Sequence, residues 1–537
     1  MESTASSGKQ FIEGDSRTAR LIAERLDRGV QWVEKHPPLI WAVLAVIYLV
    51  KLPAPLQKIL WYDELHTYYI AQAPTIAKYF ELVSHTDLNP PLIYAFARLS
   101  FDLFGVSSLA LRLPSILAFF LGSMLVLVFL SKRLGWLWAA AAVALFWYSP
   151  YFFYATDARP YGILLAFFGL TLFSWDTVSS HASQGAHSIT RRWGLAGIAI
   201  GNTGMMLSHA LAPLSIMPFC VAELYRSIQR RRVDLAVWAA LLLPLVWGLL
   251  SLASVQKMGA VTYPPAFAAS FGKVYWFFLG ALLPMLSALC LFTPASLVIA
   301  AWGRDASSAK PGATLWQAPF LIASLVTPLV ANMALMFKRG PFFDRYCITT
   351  ALVLYLGIMV FLARRCWMNR VAGMLVLLVL VALNVAEEAP YWSEVFNGSP
   401  VSETRLDQIK PELPFVVGNA LTFLEMDHLE SAAFLSRVHY LTDRPSALRY
   451  AQTDLMEGIG DLKLYFPIRA NIDPYNDFVS QYRHFLIFGS IDRAEDWLLR
   501  KVIAEGAEVT KIGEPKSLYR ERTLYEVTLA PQANAAP

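Results

Sequence analysis

The sequence predicts a polytopic α-helical membrane protein of about 11 transmembrane helices, followed by a small C-terminal α/β extracytoplasmic domain. Three observations carry that expectation. Apolar runs of roughly 18 to 22 residues, the length that crosses a hydrocarbon core, recur along the chain from Pro38. The 537 residues are 56% hydrophobic and only 16% charged, whereas a soluble protein breaks its apolar residues into shorter periodic stretches. From Glu387 the composition turns polar and charged, with the patterns of short strands and amphipathic helices.

Residues 1–36 lack a continuous apolar core and are not a secretory signal. Within them Leu21, Ile22, Leu26, Val30 and Val33 recur at helical spacing, which predicts a cytoplasmic amphipathic helix on the membrane surface. The first span is expected at 38–56, behind Arg25, Arg28 and Lys35, so the amino terminus stays inside and Asp63 and Glu64 emerge outside. The segment Asn89–Gly105 is short for a crossing and carries Arg98 and Asp102; it is assigned to the outer interface as a surface or re-entrant helix.

Charge parity supports that assignment. With 89–105 left uncrossed, spans near 109–131, 136–154, 160–177, 193–210, 213–229, 234–254, 272–300, 315–337, 346–363 and 371–386 alternate. The basic clusters Lys132-Arg133, Arg191-Arg192, Arg230–Arg232 and Arg364-Arg365 then all fall inside. The odd count exports residues 387–537, where PFVVGN, HFLIFGS and LYEVTLA read as strands and AEDWLLRKVIAEG as an amphipathic helix. Three parts follow: 1–36 cytoplasmic, 37–386 transmembrane and catalytic, and 387–537 extracytoplasmic.

Several classes are disfavoured. The net charge of +5 is spread over topology-setting clusters, with no basic stripe interleaved with aromatics, so nucleic acid is not an expected partner. The four cysteines lie in or beside apolar runs without metal-ligand spacing and read as buried hydrophobes. The C-terminal part has no glycine-rich phosphate motif.

The expected topology gathers charged motifs on one side. Asp63 and Glu64 follow the first span. Tyr154, Asp157, Arg159 and Tyr161 form the turn YATDARPYG. His209 ends a span, Lys257 lies in a later loop, and Lys338, Arg339, Asp344, Arg345 and Tyr346 stand in FKRGPFFDRY. Carboxylates can take a proton from a hydroxyl or ligate a cation, and arginine and lysine suit a phosphate. Such a mixture at the lipid boundary suits a lipid-phosphate leaving group attacked by a polar acceptor, with the cations stabilising the departing charge.

The ordered runs WYDE, HTDLNPPLIY, LALRLPSILA, YATDARPYG and FFDRY resemble the membrane glycosyltransferases of the GT-C fold. Within them the match is to the glycosyltransferase family 39-like group of protein O-mannosyltransferases, lipid A aminoarabinose transferase and rhizobial galacturonosyltransferase-like proteins. The resemblance covers roughly residues 38–365. It implies an inverting hexosyl or pentosyl transfer from a polyprenyl-phosphate-linked sugar donor to a lipid, polysaccharide or protein acceptor, at the outer face of a bacterial cytoplasmic membrane. By this resemblance Asp63 matches the acidic residue linked with acceptor activation and Glu64 its neighbour. Asp157 resembles the second acidic position and Arg159 the arginine after it. Arg345 and Tyr346 match the arginine–tyrosine pair near the lipid phosphate. The family often has His-Pro-Pro where this chain has Asn89-Pro90-Pro91, and asparagine cannot titrate. Lys338, Arg339, Tyr154 and His209 complete the expected substrate-binding set. No obligatory metal is expected, with Asp63 and Glu64 the candidate place for a divalent cation. The rival reading is a transporter or flippase of lipid-linked saccharides, against which stand the one-sided charges and the lack of an internal repeat.

Overall fold

The computed structural model describes residues 24–87, 89–180, 189–251, 256, 261–302, 317–397, 405–493, 496–516, 519 and 523–530. Helices dominate as far as residue 397. In chain order they are α1 (Glu24–Glu34), α2 (Pro37–Lys51), α3 (Pro53–Leu56), α4 (Tyr62–Ala71), α5 (Ile76–Thr86), α6 (Leu92–Phe104), α7 (Ser108–Leu134), α8 (Trp136–Trp147), α9 (Tyr161–Ser180), α10 (Ile189–Ser208), α11 (Ala212–Arg230), α12 (Leu235–Leu242), α13 (Phe271–Trp302), α14 (Gln317–Phe337), α15 (Ile348–Arg365) and α16 (Arg370–Asn397). The amphipathic helix expected over 16–33 is present from Glu24; residues 16–23 lie outside the described residues.

Helix length and composition support a coarser statement than the expected 11 spans. Among the described residues five helices are long and apolar enough to cross a membrane, or six if α1 and α2, bent by 81° at their junction, count as one. Local breakage shortens two of the expected spans. Helix α8 stops at Trp147 before Pro150, which starts a 3-10 turn over Pro150–Ala155, and α12 passes at Leu242 into a 3-10 stretch containing Pro244. Proline removes a helical N–H and crowds the preceding turn. Helix α6 has 13 residues, about 20 Å at 1.5 Å per residue and too short to cross. It buries Ile93, Tyr94, Ala97, Ser100 and Phe101 on one face and exposes Leu99, Leu103 and Phe104 on the other.

Small residues set the central crossings. A Cβ on Gly122 of α7 would come within 2.9 Å of the Ala166 backbone in α9, and one on Gly169 within 2.9 Å of the Gly122 carbonyl oxygen. At the same crossing a Cβ on Gly162 would meet the Ser115 carbonyl oxygen at 2.7 Å. Glycine there lets the two backbones touch, the usual device for packing helices where lipid supplies no hydrophobic drive between them. The contact also brings the start of α7 against the turn that precedes α9.

Residues 415–528 form a six-stranded sheet: β1 (Phe415–Val417), β2 (Val438–Thr442), β3 (Asn471–Pro474), β4 (His484–Phe488), β5 (Glu508–Gly513) and β6 (Leu524–Thr528), in spatial order β3-β2-β1-β4-β6-β5. The pairings β3–β2, β2–β1 and β1–β4 are parallel, and β6 and β5 extend the sheet antiparallel. β1 and β4 are fully buried on both faces apart from His484, and accordingly read as continuous apolar runs. This sheet unit packs on α4 and α5: the His66 ring meets Phe466 edge-on at 5.1 Å, Tyr69 Oη lies 3.4 Å from His428 Nδ1, and the His85 and Tyr465 rings stack at 5.2 Å.

Candidate functional site

Helix α4 opens at Trp61, and Asp63 and Glu64 occupy its first turn, where carboxylates favour the positive end of the helix dipole. Adjacent helical residues point about 100° apart, so the two acids face different surroundings. Glu64 turns inward and is fully buried. Its Oε1 accepts from Arg112 Nε at 2.8 Å and from the Ala158 N–H at 3.0 Å, and its Oε2 accepts from Arg112 Nη2 at 2.7 Å. Arg112, also fully buried, spends its other N–H groups on the carbonyls of Leu56, Lys58 and Ile59 at 3.0 to 3.2 Å. All five guanidinium donors are thereby used. The Glu64 carboxylate, sealed by arginine and a backbone N–H, ties α4, α7 and the 157–159 turn together, a structural part where a catalytic one was expected.

Asp63 turns the other way. Its Oδ2 accepts from Arg345 Nη1 at 3.2 Å, and the two side chains keep 21% and 24% of their surface exposed. Arg345 lies in the 3-10 turn Asp344–Cys347 that leads into α15, its guanidinium 4.8 Å from the Phe343 ring centroid and 5.9 Å from that of Trp61. Its Nε is buried without a hydrogen-bond partner. An acid and a cation separated by 282 residues thus form one partly exposed ion pair.

Asp157 sits in the turn before α9, fully buried. Its Oδ1 accepts from Trp61 Nε1 at 2.8 Å, and its Oδ2 has no hydrogen-bond partner. Burial, with the Glu64 charge adding to it, pushes this carboxyl up to about 6. Lys58 pulls the other way, and its Nζ lies 3.7 Å above the Phe153 ring. The turn is fixed by Thr67 Oγ1 donating to the Ala158 carbonyl at 2.9 Å and Ser115 Oγ to the Arg159 carbonyl at 3.2 Å.

Arg159 is committed elsewhere than expected. Its Nη1 donates to Asp87 Oδ2 at 2.6 Å and to the Asp63 carbonyl at 2.9 Å, and its Nη2 to Asp87 Oδ1 at 3.2 Å. The Asp87 and Arg159 side chains are 6% and 7% exposed, and although burial opposes it, the guanidinium holds Asp87 well below the usual carboxylate range. A buried, bidentate carboxylate thus occupies both terminal nitrogens of Arg159, a scaffold part where substrate binding was expected. Asn89 donates to Asp87 Oδ1 from its backbone N–H at 3.2 Å and its Nδ2 at 3.1 Å, orienting that carboxylate.

Rings form one wall. The Tyr154 and Tyr161 centroids are 4.7 Å apart, Tyr161 and His209 5.5 Å, and His209 and Tyr346 5.8 Å. His209 Nδ1 accepts from the Leu211 N–H at 3.0 Å. Burial, then the Arg345 and Arg159 charges, push His209 down to about 3, so its ring is neutral. Lys338 and Arg339 stand apart. They are exposed on the turn after α14, where Arg339 takes φ 53°, while the following Phe342 N–H bonds the Phe267 carbonyl. That correction leaves Arg345 as the cation of FKRGPFFDRY that meets Asp63. Lys257 lies outside the described residues.

The Asp63–Glu64 pair does not converge on one cation, because each carboxylate faces a different arginine. Among the described residues no three His, Cys, Asp or Glu side chains gather as a metal site. Sequence reasoning gave no role to Arg112 or Asp87. An arginine inside the apolar run LALRLPSILA is the signal that pointed to the first; the pairing of Asp87 with a residue 72 positions on has no sequence signature.

No family model and no curated protein matches the chain. Solved structures do. ArnT from Cupriavidus metallidurans, crystallised bound to undecaprenyl phosphate, is 15% identical over 94% of this chain and 99% of its own, with a TM-score of 0.48. The apo form of that protein gives 14% and 0.47. The archaeal oligosaccharyltransferase AglB from Archaeoglobus fulgidus, solved with an inhibitory peptide and a dolichol-phosphate, is 10% identical over 84% of this chain and 69% of its own, with a TM-score of 0.36.

Proposed function

We propose that the chain is an inverting glycosyltransferase that moves a sugar from a polyprenyl-phosphate carrier to an acceptor at the outer face of the cytoplasmic membrane, its amino terminus inside and its sheet unit outside. One observation carries the reading: the half-open ion pair of Asp63 and Arg345, set at the end of a bundle of apolar helices. In the empty site the guanidinium neutralises the carboxylate. A donor phosphate arriving at Arg345 competes for its N–H groups and frees Asp63 to face the acceptor hydroxyl. The acceptor oxygen attacks the anomeric carbon opposite the phosphate, and its proton passes to Asp63. The bond from carbon to phosphate oxygen breaks with its electron pair on the polyprenyl phosphate, whose charge Arg345 stabilises. Asp157 offers its unpartnered oxygen to the acceptor, and the rings of Tyr154, Tyr161, His209 and Tyr346 shield the site from water.

The test uses purified full-length protein, a polyprenyl-phosphate sugar and an envelope extract as acceptor source. Release of free polyprenyl phosphate is expected, and Asp63→Asn should lower it by about 10²- to 10⁴-fold, the usual worth of a general base. Passage of the sugar across a liposome with the carrier intact would overturn the reading in favour of transport. The charge on the phosphate is met by a guanidinium, so EDTA should leave the rate unchanged; loss restored by Mg²⁺ or Mn²⁺ would reject that part.

A further inference from the structure

A second concavity lies between α4, α5 and the sheet unit, with a volume of ≈510 Å³. Pockets of this size commonly hold small ligands. Tyr68, Tyr69 and Tyr465 line it, together with Lys78 and Arg469. From Asp63 to Tyr69 the helix rises roughly 9 Å and turns through about 240°, so the cleft opens away from the Asp63–Arg345 pair.

Its lining has a definite chemistry. Tyrosine rings present flat apolar faces with hydroxyl tips, a surface that suits the C–H face and hydroxyl edge of a sugar. Two cations stand over it. Lys78 Nζ lies 5.5 Å from the Tyr465 ring centroid and pairs with Glu81 at 2.8 Å, a surface pair with 34% and 45% of the side chains exposed and therefore weak and replaceable. Arg469 donates from Nη2 to the carbonyls of Asp427 and Glu430, neutral acceptors. The Asp427 carboxylate also lines the cleft but is 1% exposed, with Oδ1 accepting the N–H groups of Arg469 and Ala470 at 2.8 Å. Beside the cleft, Ile76 and Phe80 of α5 are 76% and 56% exposed, as expected of a helix resting on a lipid surface.

We propose that this cleft is an anchoring site for an anionic saccharide, a sugar bearing carboxylate or phosphate groups, held by stacking on the tyrosines and by Lys78 and Arg469. The occupant touches no reacting atom. On the proposed glycosyl-transfer reading, and only there, it is a distal part of the acceptor.

Binding is measured by saturation-transfer NMR on the full-length protein, with trigalacturonate and neutral trigalactose in detergent, and with nanodiscs carrying a hexuronate-bearing glycolipid. Trigalacturonate or the glycolipid should bind at least tenfold more tightly than trigalactose. Lys78→Glu and Tyr465→Ala should each weaken binding at least tenfold, while affinity for the polyprenyl-phosphate carrier stays at the wild-type value. Binding of the soluble trimer assigns the site to a polysaccharide, and binding of the glycolipid alone to a lipid headgroup; both support it. Absence of binding in both formats, equal binding of the neutral sugar, or indifference to both substitutions overturns it. Failure of carrier cleavage in the wild type, with binding intact, would instead refute the reaction and leave the site standing.

Discussion

Replacing Arg112 by methionine is expected to destabilise the protein more than any single change at the open part of the site. Arg112 and Glu64 are both fully buried. Removing the guanidinium strands the Glu64 carboxylate with the Ala158 N–H as its remaining donor and frees the carbonyls of Leu56, Lys58 and Ile59. Breaking a buried pair from one side costs about 3–5 kcal/mol, since the surviving charge is left without compensation. Each lost carbonyl bond adds about 1 kcal/mol where water cannot replace it. Arg112→Met should therefore lose about 4 kcal/mol or more, read by tryptophan fluorescence as the detergent-solubilised protein unfolds. Adding Glu64→Gln should recover a large part of the loss, because the stranded group is then neutral. The reasoning fails if Arg112→Met lies within about 1 kcal/mol of wild type, or if the double variant is no more stable than the single one.

Other perturbations separate the remaining parts. Asp157→Asn keeps an acceptor for Trp61 and removes a carboxyl that burial and the Glu64 charge hold at about 6, well above the usual carboxylate range. A raised carboxyl pKa favours folding below the unfolded value and loses that benefit as pH rises through about 6. The variant should thus gain about 3 kcal/mol at pH 8 and nothing at pH 3.5; a gain independent of pH would show that the charge is not the cause. Gly169→Leu should prevent accumulation of folded protein, as its Cβ alone would stand 2.9 Å from the Gly122 carbonyl oxygen; normal yield and melting would refute the tight crossing. Lys338→Ala with Arg339→Ala should change carrier cleavage less than about threefold, as expected for exposed charges outside the site. A loss near that of Asp63→Asn would put them back into it.

Much of the site was legible because its chemistry is written in short motifs. Asp63, Asp157 and Arg345 each stand in a run whose residue types are costly at a membrane boundary, and the structure gathers all three around α4 and the 157–159 turn. What the motifs could not tell was the partner of each charge. Glu64 and Asp63 are neighbours in sequence, yet one is sealed by Arg112 and the other opens on Arg345. Arg159 looked like a phosphate ligand because Asp87 is indistinguishable, by sequence, from a solvated loop acid. Lys338 and Arg339 looked equivalent to Arg345 until the turn at Arg339 sent them outward.

Hydrophobicity is summed along the chain, so composition alone fixed the apolar helical character and the change near Glu387. Helix ends depend on local breakers and packing, which is why α8 and α12 give way to 3-10 stretches at Pro150 and Pro244 inside runs that hydropathy alone reads as continuous. Ion pairing falls off within a few ångströms and is indifferent to separation along the chain. Which acid remains available for chemistry was therefore decided by the glycine-mediated approach of α7 to α9 and by the helical twist between two adjacent carboxylates.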